Sequence, residues 1–339
     1  MRLILQIPCY NEERALPAAL AELPRQVEGF DRVEWLVVDD GSSDGTVQVA
    51  RRLGVDHVIK LGYHRGLASA FMAGIDAALS RGADVIVNLD ADNQYCAADI
   101  PRLVEPVLDG RADMVIGARP IGSIRSFSGT KKLLQALGSR VVRSLSGAAV
   151  DDAPSGFRAF SRDMALRLKV FSAYTYTLET IVQAATSGMR IVSVPVGVNP
   201  PLRESRLIRS TLRYVLVSLA TLARIYFLYR PFRVFAALAL PPLVLGGFLT
   251  GRWLYLNWYE YPLTGRLHIP SLIVAVLNLA LGAGLLLSGV LAELLAANRR
   301  LLEEIRYLLR KTNLDGARQA ADQSGADAAR RPAREAAAR

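Results

Sequence analysis

A chain of 339 residues has room for one substantial domain and something smaller, and its hydrophobic content of 51% is high for a wholly soluble protein. A net charge of +10 admits nucleic acid, anionic lipid or a phosphorylated substrate as partner until the placement of the charges is considered. Two cysteines, Cys9 and Cys96, exclude a disulfide framework and provide no metal-ligand spacing, so reduced thiols in a cytosolic domain are expected.

The chain opens on a strand-like run with no signal-peptide pattern. Residues 2–7 read as a first strand, ending in Pro8-Cys9-Tyr10-Asn11-Glu12-Glu13, and Leu16, Leu20 and Leu23 follow at helical spacing. Val33–Val38 reads as a second strand that breaks into Asp39-Asp40-Gly41-Ser42-Ser43-Asp44-Gly45-Thr46. A helix, a short strand at His57–Leu61, a helix over Leu67–Leu79, the β-branched run Val85–Val87, another helix and a strand at Met114–Ile116 complete the pattern. Such alternation predicts βαβ units and a parallel sheet, hence an α/β fold. No G-x-G-x-x-G follows the first strand, and no phosphate-binding G-x-x-x-x-G-K-S/T occurs.

Asp90-Ala91-Asp92, with Gln94 two residues on, sits where the Val85–Val87 strand should end. That edge is where open α/β sheets bind ligands. Its hard oxygen donors suit Mg2+ or Mn2+ better than a soft metal, the bland alternative being a polar turn that caps a strand. Asp39 and Asp40 can accept hydrogen bonds from a base N–H or ribose hydroxyls, or can simply serve a tight turn.

Pro8 to Glu13, Val38 to Thr46, Asp90 to Gln94, Gly117-Ala118-Arg119 and Ser155-Gly156-Phe157-Arg158 occur in the order seen in family 2 glycosyltransferases. The chain resembles most the branch holding dolichyl-phosphate mannose synthase and bacterial polyprenyl-phosphate glycosyltransferases, over roughly residues 1–210. The resemblance implies a Rossmann-like GT-A fold, a nucleotide diphosphate sugar, a divalent metal and inversion of the anomeric centre. It places Pro8, Tyr10, Asn11 and Glu12 at the substrate, Asp39 and Asp40 at the nucleotide, Asp90 at the sugar nucleotide or metal, and Asp92 and Gln94 at the metal. Gly62–Gly66 departs from the family's asparagine-rich motif, with His64 and Arg65 in its place, Arg65 being set near the diphosphate. Gly117 to Gly129 lacks periodicity, and with Arg119, Arg125, Lys131 and Lys132 it reads as an acceptor loop for a lipid phosphate, or as solvated charge. Ser155 and Arg158 are carried as site residues by their motif, and Asp152 and Glu179 are the candidates for a general base.

Beyond a late strand at Ile191–Val196, Arg203, Arg206, Arg209 and Arg213 recur at helical spacings, as in an interfacial helix on an anionic membrane. In the branch it resembles, the region of Arg203, Ser205 and Arg206 lies close to the phosphates. Nucleic acid is set aside because aromatic base-stacking motifs are absent. Phe232–Thr250, interrupted by Pro241-Pro242 and expected to kink there, and Ile269–Leu295 are each long enough for a bilayer core. Arginines precede the first and follow the second, so both flanks and the catalytic domain are expected on the cytoplasmic side of the inner membrane. The aromatic-rich loop Trp253–His268 would then lie outside. The expected division is a catalytic domain over 1–202, an interfacial region over 203–231, two spans over 232–296 and a basic helix with a disordered tail over 297–339, disordered after Asn313. The spans can anchor a monomer or pack between protomers of a homo-oligomer.

Together these features predict transfer of a sugar from a nucleotide diphosphate sugar to a polyprenyl phosphate at the cytoplasmic face. A processive polysaccharide synthase would carry a Q-x-x-R-W motif and usually more spans, neither of which occurs. An idle nucleotide-binding scaffold on a membrane is disfavoured by the intact Asp90, Asp92 and Gln94.

Overall fold

A computed structural model describes residues 1–120, 150–170, 176–200, 220, 223–224, 227, 229–265 and 267–337. The chain divides into two units, Met1–Ser218 with Arg306–Arg339, and Leu219–Ile305.

The first unit is built on a seven-stranded sheet of β1 (Arg2–Cys9), β2 (Arg32–Asp39), β3 (His57–Lys60), β4 (Val85–Asn88), β5 (Met114–Ala118), β6 (Arg158–Ser161) and β7 (Ile191–Pro195), in the order β3-β2-β1-β4-β6-β5-β7. Leu3, Ile4, Leu5 and Ile7 of β1 are all fully buried, as expected of a central strand covered on both faces. At roughly 1.5–3 kcal/mol per buried aliphatic side chain, such strands supply much of what holds the unit together. The expected parallel sheet has one exception: β6 runs antiparallel to both β4 and β5. It is four residues long, too short to show a period.

Chain order reverses between β1 and β4, since β2 and β3 lie on one side and β4 on the other. A crevice at that switch point is where doubly wound sheets take ligands. The ends of β1, β2 and β4 and the start of the reversed β6 all meet this rim, Asn88 of β4 facing Arg158 of β6.

The second unit contains a helix over Pro231–Tyr259, a short helix over Tyr261–Thr264 and the first part of a helix over Ile269–Ala337. The apolar stretches Pro231–Leu263 and Ile269–Gly316, of 33 and 48 residues, are long and apolar enough to cross a membrane, which takes about 20 residues. Leu240, Val244, Phe248, Leu277 and Leu281 are exposed, so these helices do not form the buried hairpin of a soluble core. Pro241 and Pro242 lie inside the first helix, which continues through both. The two long helices approach closely where a Cβ on Gly246 would meet Leu279 at 2.8 Å and one on Gly282 would meet Leu243 at 2.5 Å.

The last helix runs from Ile269 to Ala337. Its first turns beyond Ile305 pack on the sheet unit: Tyr307 donates its hydroxyl to Asp163, Arg310 pairs with Asp76, and Arg162 reaches Asp315 at 3.1 Å.

Candidate active site

Two turns meet at the ends of β1 and β2. Asn11, with a left-handed φ of 54°, receives the Ser43 N–H on its side-chain oxygen and donates its own N–H to Ser42 Oγ, both at 2.8 Å. The Glu12 N–H is held by Thr46 Oγ1 at 2.9 Å, and Gly45 donates to the Glu13 carboxylate at 3.0 Å. Asp44 accepts from Glu13 N and from the N–H and hydroxyl of Thr46. Burial works to raise the Asp44 carboxyl, yet these hydrogen bonds outweigh it and hold the group below its usual range.

Asp39 and Asp40 are both buried but have different surroundings. Asp39 Oδ1 accepts from Ser42 N at 3.2 Å, while Oδ2 is buried with no hydrogen-bond partner among the described residues. An unpartnered buried carboxylate oxygen at a rim is an acceptor suited to a ligand N–H or O–H. Asp40 instead organises the loop after β3, accepting from Arg65 N and Gly66 N at 2.8 Å each, with His64 Nδ1 2.8 Å from its Oδ2. Both of its oxygens serve the protein.

Asp90 follows β4, and its carboxyl is pushed up to about 7, first by burial and then by the neighbouring Asp92, with Arg119 and Arg158 pulling the other way. Room for it is made by Gly156: a Cβ there would lie 2.8 and 2.9 Å from the two Asp90 oxygens and 2.9 Å from the Tyr176 hydroxyl. Beneath lies a buried polar chain, with Gln6 Nε2 donating to Asn88 Oδ1 at 2.9 Å, and Asn88 Nδ2 donating to Gly156 O at 2.9 Å and Tyr176 Oη at 2.8 Å. The Tyr176 ring stacks on Phe71 at 3.9 Å, and burial, then Asp90, raises its hydroxyl well above the ordinary value.

The turn after Asp90 is clamped from outside. Asn93 has a left-handed φ of 55° and donates to Glu22 Oε1 at 2.8 Å; Asn199 donates to Glu22 Oε2 at 2.9 Å, and its N–H reaches Gln94 O at 2.9 Å. Asp92 Oδ1 accepts from Gln94 N at 3.2 Å.

Among the described residues no group of three or more His, Cys, Asp and Glu side chains could hold a metal. Two neighbouring carboxylates whose mutual repulsion raises one of them nevertheless fit a hard divalent cation. Such ions use one or two carboxylates and leave the remaining positions to water and a ligand's phosphates. Asp90 and Asp92 are the residues that would hold it.

The model of "Glycosyl transferase family 2" matches residues 5–168. Polyprenol monophosphomannose synthase of Mycolicibacterium smegmatis is 32% identical over 206 residues, covering 58% of this chain and 76% of that protein. Undecaprenyl-phosphate mannosyltransferase of Micrococcus luteus is 35% identical over 218 residues, covering 61% and 88%. The chain belongs to glycosyl transferase family 2. Its fold is the GT-A-like one seen in glucosyl-3-phosphoglycerate synthase from Mycobacterium tuberculosis, solved with phosphoglyceric acid, at a TM-score of 0.52 and 22% identity over 65% of this chain and 79% of that one. The same enzyme solved with Mn2+, uridine diphosphate and phosphoglyceric acid superposes at a TM-score of 0.51, with 21% identity over 65% and 78%.

Against this family 2 frame the remaining expected residues fall into three groups. Pro8, Tyr10, Asn11, Glu12, Asp39, Asp40, Arg65, Asp90, Asp92 and Gln94 lie at or just beyond the ends of β1, β2, β3 and β4. Asp152, Ser155, Arg158 and Glu179 are buried. Lys131, Arg203 and Arg206, with the acceptor loop and interfacial helix, lie outside the described residues.

Within the buried group, the Arg158 guanidinium donates to Ser155 O at 2.8 Å, Thr177 O at 2.7 Å, Thr180 Oγ1 at 2.6 Å and Ala153 O at 2.6 Å, and burial lowers it to about 10. It shapes the 153–155 turn from inside. Asp152, a candidate base, is held by Arg119 through Nε at 2.7 Å and Nη2 at 3.1 Å. Tyr95 and Tyr176 were missed: the Tyr95 hydroxyl takes the Gly156 N–H at 3.0 Å, and burial raises its pKa above the ordinary value. Only adjacence to Gln94 could have drawn attention to Tyr95, and nothing local marks Tyr176.

Proposed function

We propose that this family 2 protein is an inverting, metal-dependent enzyme that transfers a sugar from a nucleoside diphosphate sugar to a polyprenyl phosphate at the cytoplasmic face of the membrane. The observation that carries the reading is the presence in one chain of the Asp90–Asp92 pair at the sheet's switch point and two helices of membrane-crossing length. Relatives named for polyprenol and undecaprenyl-phosphate mannose transfer support the acceptor class, and the Mn2+ and uridine diphosphate complex of the structural neighbour supports the donor class.

In this reading the nucleotide's base or ribose donates to the unpartnered Asp39 Oδ2, and the Asp40-bound loop with Arg65 covers it. A bound divalent ion would neutralise charge on the departing diphosphate. Asp90 and Asp92 orient that end of the donor, while Gly156 and Tyr176 fix where Asp90 sits. A phosphate monoester, with its second pKa near 6, is already largely a dianion at neutral pH and attacks without a base. The engagement of Asp152 by Arg119 is consistent with that chemistry. The chain's cations then serve to position the acceptor anion next to the anomeric carbon.

The test is purified full-length protein in detergent with undecaprenyl phosphate, Mg2+ or Mn2+, and a panel of uridine- and guanosine-diphosphate sugars. Release of nucleoside diphosphate together with labelled sugar in the organic phase is expected. Release of no nucleotide with any donor would remove the proposal.

A further inference from the structure

Glu22 belongs to none of the motifs read from the sequence; it is the residue that ends the helix over Leu16–Ala21. It is exposed, and its carboxylate takes two amides. Asn93 Nδ2 donates to Oε1 at 2.8 Å, and Asn199 Nδ2 donates to Oε2 at 2.9 Å. A carboxylate only accepts, so both amide groups are held with their nitrogen toward it.

Each amide leads to the turn that carries Asp92. Asn93 follows Asp92 directly and has a left-handed φ of 55°, a conformation that asparagine visits more readily than most residues but at a cost. The bond to Glu22 supports it there. Asn199 holds the other side of the turn: its N–H reaches Gln94 O at 2.9 Å, while the Gln94 N–H is accepted by Asp92 Oδ1 at 3.2 Å. The two segments stay bonded further along, with Cys96 N donating to Gly197 O at 3.3 Å and Gly197 N donating to Asp99 Oδ2 at 2.6 Å. Two ties on the neighbours of Asp92 therefore converge on one side chain.

We propose that Glu22 is a positioning residue for the metal turn: by holding Asn93 and Asn199 together, it keeps Asp92 in place to receive a divalent cation with the diphosphate of a nucleotide. The inference rests on the metal-dependent reading above and adds to it a residue that acts only through Asn93 and Asn199. Without Glu22 the turn is free to relax at Asn93, and binding bears the cost of restoring it.

The experiment uses full-length protein in detergent. Calorimetry measures binding of MnCl2 with uridine diphosphate or guanosine diphosphate, and turnover of whichever nucleotide sugar the wild type uses is followed against Mn2+ concentration. Glu22→Ala is expected to weaken Mn2+-nucleotide binding, and to raise the Mn2+ needed for half-maximal turnover, by about 3- to 10-fold, with kcat largely recovered at saturating Mn2+. Glu22→Gln keeps one acceptor oxygen and should fall between Glu22→Ala and the wild type. Asn93→Ala should weaken binding as Glu22→Ala does, and the two together should cost less than the sum of the singles. Thermal midpoints of the metal-free variants should change little, because the side chain is exposed.

Wild-type Mn2+-nucleotide affinity in Glu22→Ala would overturn the inference while leaving the metal-dependent reading intact. Strictly additive losses in the double variant would overturn it as well, since Glu22 would not then act through Asn93. Lowered midpoints with a loss of kcat that added Mn2+ does not recover would make Glu22 a general brace of the fold and end the proposal. A wild type that binds neither nucleotide with Mn2+ would sink the metal-dependent reading itself, and this inference with it.

Discussion

Arg119 and Asp152 form a two-pronged ion pair whose side chains are 8% and 0% exposed. It joins the end of β5 to the turn that leads into β6. Removing one member of such a pair takes a bidentate counter-charge from the other in a dry place. Arg119→Ala is therefore expected to lower unfolding stability by about 3–5 kcal/mol, and Arg119→Ala with Asp152→Ala by less than the sum of the two single changes. Denaturant titration of the singles and the double checks this, and additive losses would show that the pair does not act as a unit.

Gly156→Ala is the sharpest steric probe of the site. The added methyl falls within 3 Å of both Asp90 oxygens and of the Tyr176 hydroxyl, so Asp90 must move. Stability should fall by about 1–3 kcal/mol from overpacking, and turnover should fall far more than that loss implies. Parallel melting and nucleotide-release measurements decide it; unchanged turnover would mean that Asp90 needs no fixed place.

Asp92→Asn removes one of two repelling carboxylates. The metal-free protein should be at least as stable as the wild type, while the thermal shift on adding Mn2+ with uridine diphosphate, and turnover, should both be lost. A retained shift would move the metal elsewhere.

Asp44 supplies a pH test. Its folded carboxyl lies below the ordinary value, so its contribution is complete above the unfolded pKa of about 3.9 and disappears as pH falls through the lower, folded value. Asp44→Asn should therefore be less stable than the wild type at neutral pH, with the gap closing under acid. Denaturation curves from pH 7 downward test the sign, and a gap that widens toward acid would contradict it.

The tail contact invites a mutation pair. Tyr307 is 6% exposed and donates to Asp163, with the Arg167 guanidinium 3.8 Å from its ring centroid. Tyr307→Phe should cost about 0.5–1.5 kcal/mol and Tyr307→Ala about 3–5 kcal/mol, with faster amide exchange in the helix over Arg162–Arg167. Unaltered exchange in Tyr307→Ala would show that the helix does not depend on this contact.

What could be read in advance follows from where the determining forces act. β1, β2 and β4 announce themselves because buried central strands are near-continuous aliphatic runs, and Asp39-Asp40-Gly41 and Asp90-Ala91-Asp92 end them abruptly. The pairing of Asn88 with Tyr176, 88 residues away, depends on tertiary packing and leaves no local mark. Arg158 shows the same limit: a motif identifies a residue but not what its side chain touches, and here the buried cation donates to main-chain carbonyls. β6 was missed because four residues give no period, although its motif was recognised.

The reversed direction of β6 means that the stretch between Ala118 and Phe157 both leaves and returns at one edge, its ends tied by the Gly117 N–H to Phe157 O bond at 2.8 Å. Insertions or deletions inside it can therefore change its length without shifting any strand register.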